Sequence, residues 1–324
     1  MRWEPAPCII TDMKAYVGVT DSSWYEFLAA RPELDEINFW RPSAKTAFRV
    51  LRPGEPFYFK SHHPHNQLIG GAVYAGFARL RVSEAWEIYA EGNGQPSLDA
   101  MRERIGGYRG DPIAEDDPVI GCVLLHSPRF LPQGTHFGPP PEFAPSIVQG
   151  KGYDLEPGPH TEFFLRFADV LFGAGGNVNV EADTRTWHRP GRMFGEPAPR
   201  PRRLGQSAFK GVVLDAYDGR CAVTGSRVRP TLQAAHIRPV TSEGEHRLDN
   251  GILFRSDVHT LFDRGYLGID ADYRVVVSGR LSTEFGESAE FEELNGKPIG
   301  LPERRVDRPG HDFLDWHRAH VFRP

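Results

Sequence analysis

Cysteine is scarce. The 324 residues contain only Cys8, Cys122 and Cys221, too few and too scattered for a disulfide framework or an all-cysteine zinc site. Long apolar runs are missing as well: none approaches the ~18 residues that span a bilayer, which excludes a membrane helix. The first residues, MRWEPAPCII, lack the charged-then-apolar order of a secretory leader, so a cytoplasmic location is expected. An excess of positive charge is also lacking. Lys and Arg number 38 against 43 Asp and Glu, a formal net charge of −5, which speaks against a protein that coats nucleic acid by bulk charge. What is present is a globular balance, 40% hydrophobic and 25% charged, in a length that suits about two domains.

Short apolar or aromatic runs bounded by turn residues dominate from Trp3 to Val148. Ala47–Leu51, Phe57–Phe59, Leu68–Ala75 and Val119–Leu125 read as strands. Two helical patterns interrupt them. Ser22–Ala30 has Asp21 or Ser22 as N-cap, and Ser97–Ile105 is closed by Gly106-Gly107. The proline-rich stretch Pro128–Phe143 reads as a loop, and Thr161–Phe172 as a helix. Proline and arginine in Pro197–Arg203 mark a stiff, solvated linker. The chain therefore divides into residues 1–190, a linker at 191–205 and a second domain at 206–324. In the second domain, Gln206–Tyr217 is an amphipathic helix with Phe209, Val212, Val213 and Ala216 on one face. A hairpin-like region to Pro239, a helix from near Arg255, a β segment at Tyr266–Val277 and a final helix at His311–Val321 follow.

The strongest chemical signal lies in four words: Cys221-Ala-Val-Thr-Gly225, Ala235-His-Ile-Arg-Pro239, Asp249-Asn-Gly-Ile252 and His259-Thr-Leu-Phe-Asp263. Cutting a phosphodiester needs a base for water, a group that orients the base, and a cation to neutralise charge on the phosphate and leaving oxygen. A histidine with a pKa of about 6.5 suits the base. An asparagine amide can tie a loop from both of its ends, and a second histidine can ligate metal as neutral imidazole.

His236, Asn250 and His259, in that order and within those words, resemble the HNH, or ββα-metal, nuclease family over about Ser207–Asp272. The resemblance implies His236 as general base, Asn250 as the residue that orders the loop beside it, and His259 as ligand to Mg²⁺ or Mn²⁺. Many members carry a second ligand immediately before the base, where this chain has Ala235, so Asp249, Asp257 and Asp263 are the further metal candidates. Many relatives hold a structural zinc in paired cysteine knuckles; Cys221 is alone, and no structural zinc is expected.

Charge is concentrated near these words. From Arg192 to Pro230 the basic residues Arg192, Arg200, Arg202, Arg203, Lys210, Arg220, Arg227 and Arg229 face only Glu196, Asp215 and Asp218. Arg203, Lys210, Arg220, Arg227 and Arg229, with Arg238, are the candidate DNA contacts.

In the N-terminal half, Asn38-Phe-Trp-Arg-Pro42, the run Phe48–Lys60, Leu68–Val73, Val119–Leu125 and Ile147–Asp154 are similar to words of the PUA-like superfamily. Its EVE, ASCH and SRA-type members read modified bases; the same words resemble sulfur-binding domains that read phosphorothioate backbones. The whole layout resembles bacterial chains described as predicted restriction endonucleases with a C-terminal HNH module. Trp40, in a loop-like word, with Arg41, Tyr58, Lys60 and Tyr153, are the candidate base-recognition residues. Phe57, Phe59, Tyr74 and Trp86 read first as core. The expected fold is thus α+β: a curved sheet or PUA-like barrel with helices, then a ββα-metal HNH domain. The expected partner is double-stranded DNA carrying a base or backbone modification, and because one HNH site cuts one strand, a double-strand break needs two sites, as in a homodimer, or two visits. A DNA-binding protein that does not cut, and a nickase or RNase, are the alternatives.

Overall fold

A computed structural model describes residues 13–110, 117–132, 135, 137–144, 146–172, 205–242, 244–286 and 289–324. They form two compact units, one built on a six-stranded sheet and one running from Gly205 to Pro324. The first contains β1 (Lys14–Thr20), α1 (Ser22–Ala29), β2 (Glu36–Arg41), β3 (Pro56–Ser61), β4 (Leu68–Arg81), α2 (Val82–Tyr89), α3 (Leu98–Arg109), β5 (Val119–Phe130), β6 (Gly150–Asp154) and α4 (Pro159–Phe172). Strand order is β2-β5-β4-β3-β1-β6, with β1 and β3 parallel and the β1/β6, β2/β5 and β3/β4 pairs antiparallel.

Period-two alternation explains why both sheet faces are buried. Phe57 and Phe59 point to one side, where Trp24 and Leu28 of α1 join Ile37 and Tyr74. Tyr58 points to the other, where Ala15, Val17 and Tyr153 meet Phe164 and Phe167 of α4. Each such side chain contributes about 1.5–3 kcal/mol on burial. A sheet packed against helices on both faces has no interior to enclose, and among the described residues β2 and β6 do not pair. The sheet is open; the mixed α/β class is as expected, the closed barrel is not found. Gly70 permits the close approach of β4 to β5, since a Cβ there would stand 2.5 Å from the Arg129 carbonyl oxygen.

Several elements differ from the sequence reading. The Asn38–Pro42 word is not a loop: Asn38–Arg41 belongs to edge strand β2, and Pro42, which cannot donate to a ladder, follows its last residue. Ala47–Leu51 is irregular, with Phe48 and Leu51 inserted as single plugs into the α1-side core. Helix α3 runs through Gly106-Gly107 and stops at Gly110, whose φ of +68° suits a glycine C-cap. Most of the proposed 191–205 linker lies outside the described residues.

The second unit contains α5 (Gln206–Ala216), β7 (Leu232–His236), β8 (Gly251–Arg255), α6 (Ser256–Asp263), β9 (Leu267–Ile269), β10 (Val275–Val277), α7 (Arg280–Phe285), α8 (Ala289–Glu292) and α9 (His311–His320). Strands β7 and β8 form an antiparallel hairpin in the register Leu232↔Arg255 to His236↔Gly251, and α6 follows at once, giving the ββα order. Phe209, Val213, Ile252, Phe254, Val258 and Phe262 are buried around it. No helix of the described residues is long and apolar enough to cross a membrane.

His317 closes this core. It is 2% exposed, stacks on Phe262 at 3.7 Å between ring centroids, and its Nε2–H donates to the Phe262 carbonyl at 3.0 Å. Burial pushes its pKa from 6.5 down to about 4. The unfolded chain therefore binds a proton that the folded chain refuses, and stability is complete above pH 6.5 and is lost as pH falls toward 4. In urea titrations between these pH values, wild type should lose about 3 kcal/mol more than His317→Gln. Parallel stability curves for the two proteins would contradict this assignment.

Candidate active site

The loop between β7 and β8 is assembled by one buried amide. Asn250, 0% exposed, accepts at Oδ1 from the Arg238 N–H at 2.8 Å. Its Nδ2 donates to the carbonyls of Arg238 at 3.0 Å and Glu245 at 2.9 Å. Three backbone groups that turn away from the hairpin ladder are satisfied by one side chain. The Ile237 N–H donates to the Asn250 carbonyl at 3.0 Å, which locks the loop to the hairpin's open end.

His236 ends β7 within this clamp. Its ring lies flat on Phe209 of α5, with centroids 3.9 Å apart and 10° between planes. Gly251, opposite it on β8, makes this possible: a Cβ there would come within 2.6 Å of Val213 and 3.0 Å of Phe209. The Nε2 atom of His236 is 3.0 Å from Nδ1 of His246, a buried residue of the same loop.

Strand alternation turns Gln233 and Ala235 away from His236, and Gln233 meets α6. His259 Nδ1–H donates to Gln233 Oε1 at 2.7 Å. That bond fixes the tautomer in which Nε2 keeps its lone pair, the usual outer-shell arrangement of a metal-binding imidazole. The same Nε2 is 3.3 Å from Asp263 Oδ2 one helical turn on. Ala235 is fully buried and offers only a methyl group.

The other carboxylates are held elsewhere. Asp249 takes a bidentate pair from Arg247, at 3.0 and 2.7 Å. Asp257 takes one from Arg255, at 2.7 and 2.5 Å, and those hydrogen bonds hold its carboxyl below the usual range. Among the described residues no group of three His, Cys, Asp or Glu side chains converges as a metal cage.

Of the candidate DNA contacts, Arg203 lies outside the described residues. Arg220 and Arg227 share the Asp218 carboxylate at 3.5 and 2.7 Å. Arg238 donates from Nε to the Ser242 carbonyl at 2.6 Å, with its guanidinium 5.4 Å from the Trp316 ring centre. Lys210 on α5 and Arg229 before β7 are half-buried.

The base-recognition candidates are distributed over the first unit. Tyr58 is stacked on Phe164 at 5.1 Å and Tyr153 donates its hydroxyl to the Pro141 carbonyl at 2.8 Å, both rings packed in the α4-side core. Lys60 is also buried. Its ammonium donates to Asn66 Oδ1 at 2.6 Å and the Ser61 carbonyl at 3.0 Å, lies 4.6 Å from the Phe143 ring centre, and has its pKa lowered by desolvation. Trp40, half-buried on β2, donates from Nε1 to the Asn93 carbonyl at 2.9 Å; its neighbour Arg41 donates to the Thr46 carbonyl.

Residues 221–270 match the family model described as HNH endonuclease. This segment is an HNH endonuclease domain. No curated protein matches the chain. Solved structures that the chain resembles include a mutant ASCH protein from Zymomonas mobilis, 13% identical, with a TM-score of 0.31 over 48% of this chain and 98% of that one. A modification-dependent TagI restriction endonuclease is 15% identical, with a TM-score of 0.29 over 89% of this chain and 75% of that one.

Three side chains that the motif words do not include touch the motif histidines: Phe209 lies flat on His236, Gln233 accepts from His259, and His246 stands beside His236. None stands in a recognised word, and each contact exists only in the folded hairpin. The clamp itself is testable. Asn250→Ala strands buried groups on Arg238 and Glu245, so it should lower the unfolding free energy by about 2–3 kcal/mol and speed amide exchange at Arg238. Wild-type stability and exchange in that variant would refute the clamp.

Proposed function

We propose that the chain is a metal-dependent DNA endonuclease that cuts modified DNA, with the HNH domain hydrolysing phosphodiesters and the N-terminal unit selecting the modified base or phosphorothioate backbone. The observation that carries this reading is the Asn250 clamp, which holds the His236 backbone at the end of β7 inside the matched HNH segment. His236 removes a proton from water, the oxygen attacks phosphorus, and the P–O ester bond opens. A divalent cation, Mg²⁺ or Mn²⁺, suits the His259–Asp263 pair, whose nitrogen lone pair and carboxylate converge at 3.3 Å, and would neutralise charge on the phosphate. Asp249 and Asp257, engaged by arginines, do not fit as ligands without breaking those pairs. Selection of the modification is assigned to the first unit, with Trp40, Arg41 and Lys60 as the polar or aromatic groups nearest that task. One HNH site opens one strand, so a double-strand break calls for a homodimer or two visits.

Ala235 and the arginine-bound carboxylates favour a second reading, a protein that binds DNA without cutting it. The two separate in one experiment. Full-length protein with Mg²⁺ or Mn²⁺ is incubated with plasmid carrying modified bases, phosphorothioate linkages or neither, beside His236→Ala. Metal-dependent cleavage confined to one modified substrate and reduced at least about 100-fold in His236→Ala is the expected result. Equal cleavage by the variant would remove His236 as base; salt-dependent binding without cleavage would establish the second reading.

A further inference from the structure

His246 has no part in the reading above, yet its ring stands within hydrogen-bond distance of the proposed base. It is 3% exposed, its Nδ1 is 3.0 Å from His236 Nε2, and the two rings meet at 61° with centroids 5.0 Å apart. Phe209 backs both rings, at 3.9 Å from His236 and 5.6 Å from His246. The backbone on either side is tied by the same amide: Asn250 bonds Arg238, two residues after His236, and Glu245, the residue before His246. One side chain thus sets the spacing of both histidines.

We propose that His246 is a positioning residue for His236, a neutral imidazole that fixes the tautomer and ring orientation of the base and stabilises the cation it becomes. The inference rests on His236 acting as the base of the nuclease reading. A hydrogen bond between two ring nitrogens carries one proton. For His236 to accept a proton from water, Nδ1 must present a lone pair, so Nε2 carries hydrogen and donates it to His246 Nδ1. His246 then carries its own proton on Nε2. In the hydrolytic step the water proton passes to His236 Nδ1 as the water oxygen bonds phosphorus, the ester P–O bond breaks, and the leaving alkoxide takes a proton from a second water. The His236 imidazolium keeps its Nε2–H on His246, and that bond becomes charge-assisted and stronger as the charge develops. Aspartate does this for the histidine of a serine-protease triad; here the acceptor is uncharged, and the Phe209 ring holds the plane.

The test uses the full chain with His246→Ala and His246→Asn, the latter retaining an acceptor oxygen near the place of Nδ1. Cleavage of the preferred DNA by His246→Ala should show kcat about 100-fold lower with KM within about twofold of wild type, and His246→Asn should recover most of the loss. Nitrogen-15 NMR of histidine-labelled, metal-free protein supplies a readout independent of cleavage: His236 should be the Nε2–H tautomer in wild type and in His246→Asn, and a mixture in His246→Ala. An unchanged tautomer and unchanged kcat in His246→Ala would overturn the proposal, as would failure of a folded His246→Asn to recover both. If His246→Ala does not fold, the tautomer and kcat of His246→Asn decide alone, and a loss of both to a mixed tautomer overturns the proposal. His236→Ala separates the failures. Cleavage that survives His236→Ala defeats the nuclease reading, whereas cleavage lost in His236→Ala and intact in His246→Ala defeats only the role of His246.

Discussion

The Asn250 amide is the constraint on which the site depends. It supplies one acceptor and two donors to a loop whose backbone has left the hairpin ladder, and it does so from a fully buried position. A buried loop without such partners would carry unpaired peptide groups, each costing about 1–3 kcal/mol. The described part of the loop is held by that one side chain at three backbone groups. His236 and His246 are placed by it because Arg238 and Glu245, close to them in the chain, are the residues being clamped.

Packing on the other side of His236 is apolar and equally specific. A flat ring-on-ring contact needs a helix close to the strand, and α5 can come that close only because residue 251 has no side chain. The glycine of the DNGI word therefore serves the site through space: it makes room for Phe209. On the opposite pleat, Gln233 and α6 hold His259, so β7 presents its two histidine partners on two faces.

Charge in the second unit follows the same logic of pairing. Counting arginines between residues 192 and 230 suggests a basic surface, but Arg220 and Arg227 divide one carboxylate; further along the chain Arg247 pairs with Asp249 and Arg255 with Asp257. Part of the apparent excess is spent within the domain. The weakly acidic total of −5 is an average over paired charges and does not describe the surface around the hairpin.

Local order carried much of this molecule into view. The period of Gln206–Ala216, the apolar runs of β3, β4 and β5, and the words around His236, Asn250 and His259 depend on neighbours within a few residues, which is why the helices, the ββα segment and the HNH motif are legible from the chain alone. Contacts between distant residues are not. Nothing local reveals that β2 pairs with β5, that Tyr58 turns its ring to α4, or that the sheet stays open because helices cover both faces. Nor does any local pattern show that Asp249 and Asp257 are taken by arginines, or that His246, Gln233 and Phe209 surround the two motif histidines. The sequence by itself determined which groups are available for chemistry; tertiary structure decided which of them meet, because ring stacking and hydrogen bonds act over about 3–5 Å and that proximity exists only in the folded chain.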